Sequence, residues 1–209
     1  MTTRPIDSSQ RKAAKIAGLA CLFSLVFMTV GLNHFGIFAG FAVKDPAKAA
    51  HYVLAHETLF RLGIAGDVLC GVGLLLLSAA LYVVLRPVDQ NLALFAFSSR
   101  LFHAITWLLL PMNLFTALRL LNRADYVRAF PADQLPSVAR LYLSGYDQIS
   151  VGLLFWDLGV MVGSYLWLRS GYVPRALAAF GTLASAWCAV CALGLYIVPD
   201  FPKRVSVTW

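Results

Sequence analysis

Residues 62–85 read LGIAGDVLCGVGLLLLSAALYVVL, an apolar run interrupted by a single charged side chain, Asp67. A helix of about 20 predominantly apolar residues crosses the hydrocarbon layer of a bilayer, so this stretch has the length and composition of one crossing. Residues 16–43, 91–121, 141–168 and 176–198 satisfy the same rule. The expected fold is all-α: a polytopic transmembrane helical bundle of five spanning helices with short amphipathic connecting helices, one integral membrane domain over residues 1–209.

The whole composition agrees. The 209 residues are 60% hydrophobic and 13% charged, and the mean hydropathy is +0.74. Soluble domains are roughly half apolar and a quarter charged. Five crossings leave no length for a separate soluble domain, so function must reside in the spans or their loops. The formal charge of +7 is spread between apolar segments without a continuous basic patch, which argues against nucleic acid and for contact with lipid phosphates. Cys21, Cys70, Cys188 and Cys191 all fall within apolar segments, so no loop disulfide framework is read from them.

Arg4, Arg11, Lys12 and Lys15 precede the first apolar run as in a secretory signal. That run is too long for a signal core and carries no clear small-residue cleavage site, so it reads as a retained first helix. The same cluster places the N-terminus in the cytoplasm by the positive-inside rule. Arg86-Pro87-Val88-Asp89-Gln90 and Arg169-Ser170-Gly171-Tyr172-Val173-Pro174-Arg175 are tight turns between antiparallel helices. The longer connections, Pro46–Arg61 and Asp125–Arg140, carry helix-compatible sequence with aromatics suited to the headgroup level.

Helices in lipid associate through small residues that let backbones approach. Gly36-x-x-x-Gly40, Gly159-x-x-x-Gly163 and Gly181-x-x-x-Ser185 supply them. In the fourth span, Asp147, Ser150, Asp157 and Ser164 fall within about a 100° arc, with Gly152, Gly159 and Gly163 on the opposite side. Cys188-x-x-Cys191 resembles a redox motif, yet it continues the small-residue stripe of Gly181, Ala184 and Ser185, and packing explains it.

The candidate site is the set of ionisable residues carried by the spans: His34, Asp67, Arg100, His103, Asp147 and Asp157. Each charge near the bilayer centre costs about 2.5–3.5 kcal/mol even on the lenient insertion scale, so these groups must be paired, hydrated or neutralised. An Arg100–Asp157 ion pair flanked by His103 is one expectation. It leaves further aspartates to be covered by protons, a cation or imidazolium. His34, Asp67, His103 and Asp157 are metal-ligand types, but no His-x-x-x-His or comparable spacing supports a metal, and no cofactor is called for. No Gly-x-Ser-x-Gly elbow is present.

Several ordered phrases carry a family resemblance. Ala55-His56-Glu57-x-Leu59-Phe60-Arg61-Leu62-Gly63, Leu81-Tyr82-Val83-Val84-Leu85-Arg86-Pro87-Val88 followed by Asn91-Leu92-Ala93, Gly145-Tyr146-Asp147, and the 169–175 turn resemble a bacterial multi-pass membrane family catalogued as DUF4386. The resemblance runs from the first span to the fifth and implies a bacterial inner-membrane protein, with no reaction, substrate or cofactor attached. It directs attention to His56, Glu57, Arg61, Asp67, Arg100 and Asp147. It also implies a further span in many relatives, where this sequence ends with Pro199–Trp209, and a histidine where this chain has Asp157.

Three function classes follow. The first is a binding or transport-type protein that accepts a small amphiphile or responds to protons, with membrane lipids as its surroundings. The second is an intramembrane enzyme acting on a lipid or quinone, with His56 and Glu57 or His103 and Asp157 as acid and base. The third is a non-catalytic scaffold or partner subunit.

Overall fold

A computed structural model describes residues 7–34, 45–122, 131, 133–143 and 149–198, without the side chains of 30–34, 149 and 150. The described elements are α1 (Ser8–His34), α2 (Pro46–Ala55), α3 (Glu57–Leu85), α4 (Gln90–Trp107), α5 (Leu109–Leu121), α6 (Leu135–Leu143), α7 (Ile149–Ser170) and α8 (Arg175–Ile197). Among the described residues, five stretches are long and apolar enough to cross a membrane: Ser8–Thr29, Glu57–Leu85, Gln90–Leu121, Val151–Ser170 and Arg175–Ile197.

Local chemistry sets the helix ends. Asp7 accepts from the Ser8 N–H at 2.6 Å, and its own N–H donates to Gln10 Oε1 at 3.0 Å, the return half of an N-terminal box at the start of α1. Asp45 caps α2 by accepting from the Ala47 and Lys48 N–H groups at 2.9 and 3.2 Å, with Pro46 at the first helical position. Asp89 does the same for α4 through the Leu92 N–H at 3.1 Å. Between α7 and α8, Gly171 takes φ +70° and its N–H closes on the Trp167 carbonyl at 3.1 Å, a left-handed helix terminus that glycine adopts without strain.

Two expected spans differ from their sequence outlines. The stretch 91–121 is two helices, interrupted at Leu108, whose N–H turns back to the Ile105 carbonyl at 3.1 Å. Pro111 lies in the first turn of α5, a position where a missing N–H costs no helical bond but where one continuous helix would lose one. In the stretch 141–168, Leu141–Leu143 close the short helix α6, and α7 starts at Ile149. The helix-compatible connections both yield helices, α2 and α6.

The chain contacts divide into two compact units: Met1–Gly18, Leu75–His103 and Ser150–Trp209 in one, Leu19–Leu74 and Ala104–Ile149 in the other. In the first, Leu85, Ala93 and Leu166 form a core with Tyr82, Val88, Leu92 and Trp167 packed against it. A Cβ on Gly181 would stand 2.9 Å from Ser164 Oγ, so α8 approaches α7 at backbone range. The buried Gln10 amide donates to the Val84 carbonyl at 3.0 Å, tying the start of α1 to the end of α3.

In the second unit the core holds Val53, Phe60, Cys70, Trp107, Leu110, Leu114, Leu118, Ala139 and Leu143, drawn from α2, α3, α4, α5 and α6. Gly73 lies against Phe23 and Ser24 of α1, and the Cys70 thiol reaches the Ser24 carbonyl at 3.6 Å. Large apolar side chains such as Leu19, Leu22, Phe180, Leu183 and Trp187 are exposed. That suits helices whose solvent is lipid, where apolar exposure costs nothing.

Candidate functional site: ionisable residues within the spans

The first unit brings three of the predicted residues' surroundings into view. Arg100 of α4 lies across the glycine face of α7: a Cβ on Gly159 would stand 2.8 Å from Arg100 Cγ and 3.0 Å from the Ala96 carbonyl, and one on Gly163 would stand 3.1 Å from Arg100 Nη2. The missing side chains of α7 therefore make the groove that the arginine fills. Its guanidinium carbon sits 5.7 Å from the centre of the Trp156 ring, within cation–π range. The His103 ring, one turn further along α4, meets the same indole with ring centres 5.0 Å apart and contacts the main chain at Gly152. Phe102 packs on Phe155 alongside, 4.2 Å between ring centres. Arg100 and His103 are both buried.

Asp157 stands apart from this group. Two residues from Gly159, it points about 200° around α7 from the glycine face, is half-buried, and is electrostatically coupled to Cys188 of α8. Among the described residues its carboxylate makes no hydrogen bond or ion pair. The expected Arg100–Asp157 pair is thus not formed. The glycines that permit close α4–α7 approach draw Arg100 to their own side of the helix and away from the acid.

Asp67 belongs to the second unit. It occupies a core-facing position of α3, at 1% exposure, and its Oδ2 has no hydrogen-bond partner. His56, Glu57 and Arg61 cluster at the start of the same helix but near its surface. Arg61 pairs with Glu57 at 2.7 Å, Asn122 of the α5 end donates to Glu57 at 3.1 Å, and the His56 ring meets the Tyr52 carbonyl at 3.0 Å. These contacts fasten the α2–α3 junction to the end of α5. The side chain of His34 and the whole of Asp147 lie outside the described residues. Among the described residues no group of three or more His, Cys, Asp or Glu side chains comes close enough to hold a metal ion.

Two polar participants escaped sequence reasoning. Trp156 completes a stripe with Gly152, Gly159 and Gly163 at helical spacing, and that stripe was the available signal. Gln10 follows Asp7 by three residues, the spacing of an N-terminal box, which marks it as a structural amide.

Apolar spans, lipid-suited exterior and buried ionisable side chains define the class: an all-α, multi-pass membrane protein. The family model described as a domain of unknown function (DUF4386) matches residues 16–208, and the chain belongs to that family. No curated protein and no solved structure matches it.

Proposed function

We propose that the chain is a binding or transport-type protein of the bacterial inner membrane, with its N-terminus in the cytoplasm, that accepts a small amphiphile and couples to protons. The observation that carries this reading is the burial of ionisable side chains inside apolar spans, Arg100 at 7% and His103 at 4% exposure beside Trp156 in one unit and Asp67 in the other. Such groups are costly in a bilayer and commonly mark ion or substrate paths. Arginine, imidazole and indole together offer a charge, a proton carrier and an apolar plate, the chemistry that suits the polar end of an amphiphile. The basic N-terminal cluster of Arg4, Arg11, Lys12 and Lys15 supports the orientation.

The test is to reconstitute the protein in lipid, titrate it with oleate and with a short-chain quinone, and repeat the titration across pH. Single Asp67→Asn, Asp147→Asn and Asp157→Asn substitutions should alter binding or its pH response. Full retention of both in all three would remove the reading and leave a scaffold.

A further inference from the structure

Phe60, Ile64, Asp67, Gly71 and Leu74 follow one another at alternating steps of four and three along α3, and so share one helix face. Phe60 belongs to the core of the second unit, and Ile64 and Leu74 pack against it. Gly71 looks directly at the interruption between α4 and α5: a Cβ there would stand 2.8 Å from Leu108 Cδ2 and 3.9 Å from Trp107 Cδ1. Asp67 is one turn earlier on that face. A carboxyl therefore occupies what is otherwise an apolar core position, beside a break in a spanning helix, at 1% exposure and with Oδ2 lacking any hydrogen-bond partner.

Among the described residues of its unit, no charged side chain compensates it. Glu57 and Arg61 pair with each other near the surface. Lys48, His51, His56 and Arg119 are exposed and Arg140 is half-buried. The titratable group that feels the Asp67 charge is the Cys70 thiol, three residues on in the same helix. An ionised carboxylate at 1% exposure among apolar side chains, with no donor on Oδ2, is costly to hold. A neutral acid removes the charge and needs only a proton.

We propose that Asp67 is an intramembrane proton-binding site, a carboxyl that takes up and releases a proton beside the α4–α5 break. This rests on the proton-coupled reading above and assigns the residue that carries the proton. Irregular backbone at membrane depth must border a cavity or other protein, and in many transporters such broken helices hold the coupling ion or substrate.

Infrared difference spectroscopy of the full chain in lipid, without added amphiphile, reads the proposal. The wild type should show the carbonyl stretch of a neutral carboxylic acid at pH 7, diminishing as pH rises. The band should be lost in Asp67→Asn and retained in Asp157→Asn. If Asp67→Asn does not fold, Asp67→Glu should keep an acid band at a shifted frequency. An unchanged band in either Asp67 variant, or no band in the wild type at pH 7, would overturn the assignment, as would removal of the band by sodium at fixed pH. Because no amphiphile is present, this failure is separate from failure of the oleate or quinone titration, which would leave the proton site standing.

Discussion

Arg100 lies where a side chain on Gly159 would otherwise be, its Cγ 2.8 Å from the ideal Cβ position. The Ala96 carbonyl, 3.0 Å from the same point, closes the other side and belongs to backbone that cannot swing away. Glycine at 159 is therefore a packing requirement of α4 on α7.

Gly159→Ala should destabilise the protein by about 1–3 kcal/mol, the usual cost of overpacking. Gly163→Ala should cost less, because its nearest neighbour at 3.1 Å is Nη2, the far end of a flexible arginine. Thermal unfolding of both variants in the same lipid or detergent checks the order. Equal melting temperatures, or a less stable Gly163→Ala, would contradict the α4–α7 packing described.

Gln10 is 5% exposed and donates to the Val84 carbonyl at 3.0 Å. Gln10→Ala should cost about 1 kcal/mol, because it removes a part-buried hydrogen bond and leaves a carbonyl without its donor. Gln10→Glu should also be destabilising, since it replaces that donor with an acceptor. Both are read by thermal unfolding, and wild-type stability in either would show that the N-terminal tie is not formed.

Asp89 joins the two turns of the first unit: it caps α4 through the Leu92 N–H and pairs with Arg169 at 3.1 Å. The Leu92 hydrogen bond first, and the Arg169 guanidinium with it, hold its carboxyl below the ordinary value of 3.8. A depressed carboxylate contributes stability that is present above its unfolded value and is lost as pH falls through its folded one. Asp89→Asn should therefore flatten the acid limb of the stability profile below about pH 4 and change little near pH 7, because the pair is exposed and screened. An unaltered acid limb would contradict the capping role.

The crossings were legible because length and hydropathy are properties of a segment alone. The break at Leu108 was not, since Pro111 sits within an unbroken apolar run and only its absent N–H marks the interruption. For the site, sequence placed Arg100, His103 and Asp67 inside spans, but it could not choose their partners. Helix-wheel reasoning put the Asp157 face and the glycine face of α7 on opposite sides; which one Arg100 meets depends on how α4 docks, and the glycines decide it. Trp156 was passed over because an aromatic in an apolar span carries no charge signal of its own, and its importance comes from two buried neighbours on another helix.

Native mass spectrometry of the full chain released from lipid nanodiscs, loaded with oleate or the short-chain quinone, tests the functional claim most directly. A retained amphiphile is expected on the wild type, with reduced occupancy in His103→Gln and Trp156→Phe and melting temperatures that show both variants folded. No retained amphiphile on the wild type, or wild-type occupancy in both folded variants, would mean that Arg100, His103 and Trp156 serve the packing of α4 on α7 and hold no amphiphile.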